Sequence, residues 1–292
     1  MLDYIGTVIR PPSEANSLIL QITLGCSDNN CTFCPAYKDK PFKLKKLEDI
    51  KREIESVCRY YPETRKVFLA DGDAIVYPQK DLLTIFNLLQ YYFPKLSRIS
   101  LYASCKALLT KSVDDLKLLK ENKLGIVYLG IESGDNDTYK NTEKFGSPEL
   151  NIEQCLKVKQ AGIKLNTTII LGLGGMNLSS QHAFNTSKVL NIIKPEQVAA
   201  LTLMITKGTK LYKKQKRGEF MMLDEMTFLK ELEIIISNLE DFKCQFFSNH
   251  ASNYFPIRAR FPRDKKAILT QLKSIIETGN HSVLRPEFLR GL

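Results

Sequence analysis

The stretch Gly25-Cys26-Ser27-Asp28-Asn29-Asn30-Cys31-Thr32-Phe33-Cys34 decides the fold of this chain, because it places three cysteines within nine residues. It follows an apolar run, Leu18 to Leu24, that is typical of a β-strand. Three thiols in so tight a loop do not fit a disulfide framework, but they suit a soft metal centre with one position left open. A structural zinc site would need a fourth ligand, and no further histidine or cysteine lies nearby. An iron–sulfur cluster is favoured, and zinc or metal-free thiols remain the alternatives.

The spacing of these cysteines resembles that of a known enzyme family. C-x4-C-x2-C after the first strand, with the aromatic Phe33 before the third cysteine, is similar to the cluster loop of the radical S-adenosylmethionine superfamily. The resemblance implies that Cys26, Cys31 and Cys34 hold three irons of a [4Fe–4S] cluster, and that S-adenosylmethionine chelates the fourth. The usual spacing there is C-x3-C-x2-C, so the extra residue leaves the subfamily unassigned. The implied activity is reductive cleavage of S-adenosylmethionine, followed by abstraction of a substrate hydrogen by the 5′-deoxyadenosyl radical.

Composition and length agree with a cytoplasmic enzyme. The 292 residues suit one barrel-sized domain, since (β/α) barrels typically have about 250 residues. The N-terminal sequence MLDYIGTVIRPP has no continuous apolar stretch, so no signal peptide is predicted. The longest apolar run, about Val198 to Ile205, is far shorter than the roughly 18 residues of a membrane span. Seven cysteines without a secretory signal indicate a reducing compartment, and an exposed cluster is expected to require low oxygen.

Strand and helix patterns alternate along the chain, which favours a parallel sheet with helical crossovers. Strands are predicted at Leu18–Leu24, Lys66–Ala70, Arg98–Ala103, Gly125–Ile131, Lys164–Leu171, Gln197–Ile205 and Cys244–Phe247. Helices are predicted at Leu47–Tyr61, Asp81–Tyr92, Val113–Glu121, Ile152–Ala161, Leu178–Ile193, Asp224–Leu239 and Asp264–Thr278. This order matches the open barrel of the superfamily. We therefore predict an α/β fold, a partial (β/α)6-type barrel with one additional C-terminal strand. A single domain is expected, with a core of about 18–209 and an extension of about 210–292.

Parallel barrels carry their chemistry at the C-terminal ends of the strands, and several of these ends are polar or glycine-rich here. After the second strand comes Asp71-Gly72-Asp73, which partly matches the turn that binds the methionine ammonium group in the superfamily. An ordinary βα turn is the alternative. After the fourth strand comes Glu132-Ser133-Gly134, which the resemblance places beside the ribose and carboxylate of S-adenosylmethionine. Lys144 is then the candidate partner of the methionine carboxylate.

The fifth strand ends in a glycine-rich sequence, Leu171 to Gly175. The dinucleotide fingerprint G-x-G-x-x-G is excluded, because its third glycine would fall on Asn177. Glycines at this position instead allow close approach of the backbone to adenine. Thr168 and Gly172 are therefore predicted beside the adenosine, and Phe33 is assigned to the cofactor as well.

Substrate contacts are predicted after the seventh strand and after the third. The polar run after Phe247 contains His250, Ser252 and Asn253, which are the substrate-binding candidates, and Cys105 after the third strand is a further candidate. The alternative for the run is a loop whose serine and asparagine side chains satisfy their own backbone. The other three cysteines, Cys58, Cys155 and Cys244, are predicted in the core, and His182 and His281 on the surface. No catalytic residue is assigned.

The net charge of +10 suggests an acidic partner. Basic residues gather at 207–217 and at 38–46, so either an anionic small molecule or a nucleic acid is attracted. No nucleic-acid-binding module is recognised, so a small organic substrate is the leading hypothesis and a tRNA-modifying enzyme the alternative. A non-catalytic metal-binding or electron-transfer protein is a third hypothesis, which the cofactor-site sequences disfavour. The expected protein partner is an electron donor such as flavodoxin or ferredoxin, and no membrane partner is expected.

Overall fold

A computed structural model describes residues 2–291 of the chain. Its strands are β1 (Leu18–Gln21), β2 (Thr23–Leu24), β3 (Lys43–Leu44), β4 (Lys66–Ala70), β5 (Arg98–Ala103), β6 (Leu124–Glu132), β7 (Lys164–Leu171), β8 (Gln197–Thr202), β9 (Cys244–Phe247) and β10 (Arg258–Phe261). Its α-helices are α1 (Leu47–Val57), α2 (Gln79–Tyr92), α3 (Cys105–Leu108), α4 (Val113–Glu121), α5 (Asn136–Asn141), α6 (Pro148–Gln160), α7 (Gly175–Ile193), α8 (Lys210–Lys216), α9 (Glu225–Asn238) and α10 (Lys265–Thr278). Within this part of the chain, no helix combines the length and apolar character needed to cross a membrane.

Eight strands form a mostly parallel sheet in the order β1-β4-β5-β6-β7-β8-β9-β10. Parallel pairing joins β1, β4, β5 and β6, and it also joins β7, β8 and β9. The last strand, β10, runs antiparallel to β9, and β2 pairs antiparallel with β3 in a separate ladder. The predicted α/β class is therefore confirmed.

The strand predictions differ from the structure mainly at the two ends of the sheet. The predicted strand Leu18–Leu24 is divided at Ile22, which still donates to the Ala70 carbonyl (2.8 Å). Beyond it, β2 leaves the main sheet and pairs with β3. The strand β10 was not predicted, although its sequence Arg-Ala-Arg-Phe alternates charged and apolar residues.

The helix predictions differ mainly in length and in the short helices. Helix α1 ends at Val57 because the two tyrosines of its predicted last turn, Tyr60 and Tyr61, are exposed and add no apolar contact. The helices α3, α5 and α8 were not predicted, since four to seven residues are too few to show a periodic apolar stripe.

The described residues divide into two compact units, and the single-domain organisation stays a prediction. The first unit comprises residues 2–29, 36–129 and 153–165. Phe68, Ala70, Ile126 and Tyr128 form one of its core clusters. Beside this cluster the buried Glu14 pairs with Arg98 (2.8 Å) and accepts a hydrogen bond from Tyr128 (2.6 Å). Because a buried carboxylate needs such partners, this contact fixes the N-terminal segment on the strands.

The second unit comprises residues 30–35, 130–152 and 166–291, and its strands have two different faces. One face is buried, and there Phe246 stacks on Phe261 with ring centroids 5.1 Å apart. The opposite face is partly accessible to solvent. We call it the open face, and its members are Thr168, Ile170, Gln197, Ala199, Leu201, Gln245, Phe247, Arg258 and Arg260.

Candidate cluster and cofactor site

The start of the cysteine loop lies in the first unit, against the end of β4. Gly25, with a φ of +70°, donates its N–H to an oxygen of Asp71 (3.0 Å) and accepts from the N–H of Gly72 (3.1 Å). A Cβ atom on Gly72 would lie 2.8 Å from the Cβ of Cys26. Gly72 therefore allows the strand end to touch the first cysteine, and a larger residue would displace Cys26.

Asp71 is fully buried, and one of its two carboxylate oxygens accepts hydrogen bonds from this loop and its neighbours. Its Oδ2 accepts from Gly25, from Gln21 (3.0 Å) and from the ammonium of Lys40 (3.1 Å). Its Oδ1 is buried and accepts no hydrogen bond within residues 2–291. A buried acceptor normally has a partner, so one oxygen is uncommitted. The predicted contact of Asp71 with the ammonium group of S-adenosylmethionine stays a prediction, and so does that of Gly72.

Asp73 connects the cysteine loop to the end of β5. It is fully buried and accepts hydrogen bonds from the hydroxyl of Ser27 and from the N–H (2.9 Å) and hydroxyl (2.6 Å) of Ser104. Ser104 is also the N-cap of α3, where it accepts from Ala107. The next residue, Cys105, is buried as the first residue of that helix. The cofactor role of Asp73 and the substrate role of Cys105 stay predictions.

The second half of the cysteine loop lies in the second unit, where its backbone is held on both sides. The N–H of Thr32 donates to Thr142 (2.8 Å), and its carbonyl accepts from Leu211 of α8 (2.9 Å). Phe33 packs on a buried apolar cluster that consists of Leu173, Leu203 and Leu211. Cys31 and Cys34, which flank these two residues, are half-buried.

Glu132 and Lys144 form a largely buried ion pair at the end of β6. Their side chains approach to 2.6 Å, and Lys144 also donates to the carbonyl of Gly130 (2.5 Å). Burial opposes the charge on Lys144, but the Glu132 carboxylate and the Cys31 thiolate outweigh it and raise the pKa of Lys144 above its usual value. Glu132 has a φ of +59°, which is uncommon outside glycine and often marks a functional site.

The donor chemistry of the loop fits an iron–sulfur cluster, although the ligand geometry is not formed in this structure. Within residues 2–291 no three His, Cys, Asp or Glu side chains surround a common metal position. The loop nevertheless supplies three thiol side chains, and Lys144 places a cation beside one of them, which favours the thiolate form. Cys26, Cys31 and Cys34 stay the predicted ligands.

The surface position predicted for His182 is wrong, because its side chain on α7 is fully buried; His281, by contrast, is exposed as expected. The Nδ1 of His182 lies 2.7 Å from the hydroxyl of Ser133, and its Nε2 lies 3.1 Å from the carbonyl of Ile170. A carbonyl only accepts, so Nε2 carries a hydrogen. In the neutral ring, Nδ1 therefore accepts from Ser133.

Helix α7 forms hydrogen bonds with the turn that follows Glu132. The N–H of Gly134 donates to Thr186 (2.9 Å), and Asp135 accepts from Gln181 and Asn185 (2.8 Å each). A Cβ on Gly134 would lie 2.4 Å from the carbonyl oxygen of Asn185, so the turn contacts the helix backbone directly. Ser133 itself is fully buried, and its contact with the ribose stays a prediction.

Glu231 of α9 extends the same network to the glycine-rich turn after β7. It accepts from the N–H of Gly172 and from the hydroxyl of Ser179 (2.5 Å each), and its Oε1 lies 3.5 Å from Nε2 of His182. Burial raises the pKa of Glu231, although His182, Ser179 and Gly172 oppose this effect. A Cβ on Gly172 would lie 2.2 Å from the ring of Phe228, so the glycine is needed for internal packing. The adenosine contacts of Gly172 and of half-buried Thr168 stay predictions.

Sequence analysis missed this network, although α7 contains a signal for it. Ser179, His182, Thr186, Leu190 and Ile193 recur at helical spacing and are all buried. The polar members therefore continue an apolar stripe, which indicates burial.

The polar residues after β9 bind mainly to the protein itself. Ser252 accepts from the N–H of Thr202 (3.2 Å), and Asn253 accepts from the Thr202 hydroxyl (2.8 Å). Both are buried, whereas His250 is half-buried and lies 3.0 Å from the Ser252 hydroxyl. The contacts with Thr202 join the loop to β8, whereas the bonds from the Ser252 N–H to His250 (3.1 Å) and from the Asn253 amide to the His250 carbonyl (3.5 Å) agree with the alternative of a loop that binds its own backbone. The substrate contacts of the three residues stay predictions.

Two arginines that sequence analysis did not single out hold this loop from the C-terminal side. Arg285 donates to the carbonyls of His250, Ala251 and Asn253. Arg290 donates to the carbonyls of Ser252 and Leu203, and its guanidinium stacks 4.0 Å from the centroid of the Tyr254 ring. No sequence pattern marks these residues, because their partners are backbone carbonyls.

Comparison with known families identifies the class of the protein. The family described as the Radical SAM superfamily matches residues 20–185, which is more than half of the chain. The chain therefore belongs to the radical SAM superfamily.

Individual relatives are distant. The uncharacterized protein MJ0486 of Methanocaldococcus jannaschii is 26% identical over 257 residues, which are 84% of this chain and 74% of that protein. Methylornithine synthase (PylB) superposes with a TM-score of 0.55 at 15% identity, covering 88% of this chain and 68% of that chain. The radical S-adenosylmethionine methyltransferase TsrM from Kitasatospora setae, with cobalamin and a [4Fe-4S] cluster bound, gives a TM-score of 0.55 at 13% identity, covering 67% and 38%.

These findings confirm the enzyme class, the partial-barrel fold class and the cofactors. The chain is a radical SAM enzyme, and its cofactors are a [4Fe–4S] cluster and S-adenosylmethionine. The structural matches lie far below 25% identity, so they support the fold alone.

Proposed function

We propose that this enzyme cleaves S-adenosylmethionine reductively and removes a hydrogen atom from a small organic substrate. The observation that carries the proposal is the pairing of Lys144 with Glu132 beside Cys31, a predicted cluster ligand. A buried cation next to a thiolate and a carboxylate suits a site that binds both an iron–sulfur cluster and an amino-acid carboxylate.

Cys26, Cys31 and Cys34 would hold the cluster in this site. When bound there, the cluster would supply the electron for cleavage of the sulfonium of S-adenosylmethionine, and an external donor such as flavodoxin or ferredoxin would reduce it again. The protein contributes the position of the loop: Asp71 and Asp73 hold its first half, and α8 holds its second half through Leu211.

The remaining residues would bind S-adenosylmethionine. The uncommitted Oδ1 of Asp71 is an acceptor for the ammonium group. Lys144 has three N–H donors, so it can bind a carboxylate while it keeps Glu132, and Glu132 can accept from ribose hydroxyls. The other members of the proposed cofactor site are Phe33, Gly72, Asp73, Ser133, Thr168 and Gly172.

A tRNA substrate is the second candidate, and one observation favours it. Helix α8 carries Lys213, Lys214 and Lys216 and bonds directly to Thr32 of the cysteine loop. A basic helix at this place attracts a polyanion. We favour the small molecule, because seven residues of helix offer a small phosphate-binding surface.

A deuterium-transfer screen tests the proposal. The anaerobically reconstituted enzyme is incubated with dithionite, S-adenosylmethionine and deuterated candidate substrates, and 5′-deoxyadenosine is analysed by mass spectrometry. Deuterium in the product supports hydrogen abstraction. Glu132→Ala is expected to weaken cofactor binding at unchanged iron content, whereas Glu240→Ala, which removes a surface carboxylate, changes neither. If Glu132→Ala binds the cofactor as tightly as the wild type, the role assigned to Glu132 is wrong.

A further inference from the structure

We propose that Arg258 and Arg260 form the anion-binding part of the substrate site, and that the substrate is a small molecule carrying a phosphate or carboxylate group. The assignment to a substrate rests on the proposed function. The anion-binding property itself depends only on the residues of the open face.

The first observation is the register of the strands, which places each arginine at the end of a cross-strand row of residues. In one row, Asn166, Gln197, Gln245 and Arg260 are successive cross-strand partners on β7, β8, β9 and β10. The amides are bonded in series, from Asn166 to Gln197 (2.9 Å) and from Gln197 to Gln245 (3.0 Å). These hydrogen bonds fix the side chains of the row as far as Gln245, which lies opposite Arg260.

The second row is less polar and closer to the C-terminal ends of the parallel strands. It contains Thr168, Ala199, Phe247 and Arg258 as cross-strand partners. A third pair, Ile170 and Leu201, follows on the same face. The open face is therefore cationic along β10, polar at the N-terminal ends of β8 and β9, and more apolar toward their C-terminal ends. Most of its residues are half-exposed.

The third observation is that neither guanidinium forms an ion pair or a hydrogen bond within residues 2–291, and both are exposed. The nearby carboxylate of Asp264 accepts from the backbone N–H of Arg260 (2.8 Å), and the charge of Arg260, after the stronger effect of the hydrogen bond from Arg263, helps to lower the pKa of Asp264. Nearby arginines behave differently: Arg263 pairs with Asp264 (2.7 Å), and Arg285 binds three carbonyls. An anion bound between the two guanidinium groups would reduce the repulsion between their charges.

These features define the chemistry of the ligand. Residues two apart on a strand are separated by about 6.7 Å, which two long arginine side chains can span to bind one oxyanion. The planar guanidinium donates paired hydrogen bonds that match the oxygens of carboxylate and phosphate groups. Phe247, Ile170 and Leu201 offer an apolar surface for the rest of the molecule.

A structural role is the competing explanation. Because β10 is an edge strand, exposed charges protect it from pairing with other chains. That role needs no ligand, so it predicts that small anions do not bind. A measurement of the binding of small anions therefore distinguishes the two explanations.

Isothermal titration calorimetry on the full-length protein makes this measurement with inorganic phosphate and, separately, citrate. We expect binding of at least one probe by the wild type, and a loss of affinity of about tenfold or more in each of Arg258→Gln and Arg260→Gln. Arg258→Lys and Arg260→Lys keep the charge and are expected to lie in between. Arg59→Gln removes the same charge from an exposed arginine of the first unit and should change nothing. Circular dichroism confirms that each variant is folded.

The outcomes separate this inference from the proposed function. Failure of both probes to bind, or equal affinity of the wild type and the glutamine variants, overturns the inference. Binding of a single-stranded RNA oligonucleotide alone, lost at high salt and in the variants, also overturns it in favour of a polyanion. Anion binding by a protein that takes up no iron would contradict the proposed function and, with it, the assignment to a substrate site, and would leave only the anion-binding property of the two arginines intact.

Discussion

His182→Ala is the substitution that best tests the buried network that joins the turns after β6 and β7. It removes the acceptor of the Ser133 hydroxyl and the donor to the Ile170 carbonyl, and it takes away the histidine beside Glu231. The side chains of Ser133, His182 and Glu231 are fully buried, so water does not replace the partner that the Ser133 hydroxyl loses, whereas the Ile170 carbonyl is only part-buried.

The magnitude follows from the number of groups left without a partner. A fully buried polar group that loses its hydrogen bond costs about 1–3 kcal/mol and a part-buried group costs less, so the losses at Ser133 and Ile170 together lower the free energy of unfolding by at least about 1–3 kcal/mol. The empty space left by the ring adds to this loss. His182→Gln keeps one donor and one acceptor and is expected to recover at least half of it. His281→Ala, at an exposed histidine, should stay within about 0.5 kcal/mol of the wild type.

Urea unfolding followed by circular dichroism measures these differences, and a second readout connects them to the cofactor. Because His182 positions the turn at Ser133, the affinity of the cluster-loaded His182→Gln variant for S-adenosylmethionine is expected to fall less than that of His182→Ala. If His182→Ala lowers the free energy of unfolding by less than about 1 kcal/mol and leaves the affinity for S-adenosylmethionine unchanged, His182 does not position the turn at Ser133.

Three further predictions concern other parts of the site. Gly72→Ala forces a carbon to within 2.8 Å of Cys26, so iron uptake should fall, whereas Gly291→Ala, in open space, should leave iron content unchanged. Burial raises the pKa of Asp135, but hydrogen bonds from Thr138, Gln181 and Asn185 outweigh it and lower that pKa below its usual value. The ionised Asp135 carboxylate therefore stabilises the fold above about pH 4, and this stabilisation is lost as the pH falls. In urea titrations, the stability of Asp135→Asn should therefore decline less on acidification than that of the wild type. The combined change of Lys213, Lys214 and Lys216 to Glu should not alter turnover of a small substrate; tight, salt-sensitive tRNA binding by the wild type that this change abolishes would favour the tRNA alternative.

The order of strands and the cysteine loop were predictable because their signals are local. Apolar runs such as Lys66–Ala70 and Arg98–Ala103 are bounded by polar residues, and the structure has the same bounds. The three cysteines lie within nine residues, so their spacing is visible in the sequence.

The support of the site was harder to predict because it depends on contacts between distant residues. His182 is 49 positions from Ser133, and Glu231 is 52 positions from Ser179. His182 and Glu231 are buried because α7 and α9 pack against each other, and no short sequence motif encodes this packing. The arginine face of β10 likewise depends on the register with β9, which places Arg260 opposite Gln245.

The central claim is that the cysteine loop holds a redox-active cluster that cleaves S-adenosylmethionine. Anaerobic reconstitution should give about four irons and four sulfides per chain and, with dithionite and S-adenosylmethionine, a slow release of 5′-deoxyadenosine. Cys26→Ala, Cys31→Ala and Cys34→Ala should each abolish both, whereas Cys58→Ala, outside the loop, should retain them. Stoichiometric zinc in place of iron, with no iron–sulfur absorbance after reconstitution, would contradict the account.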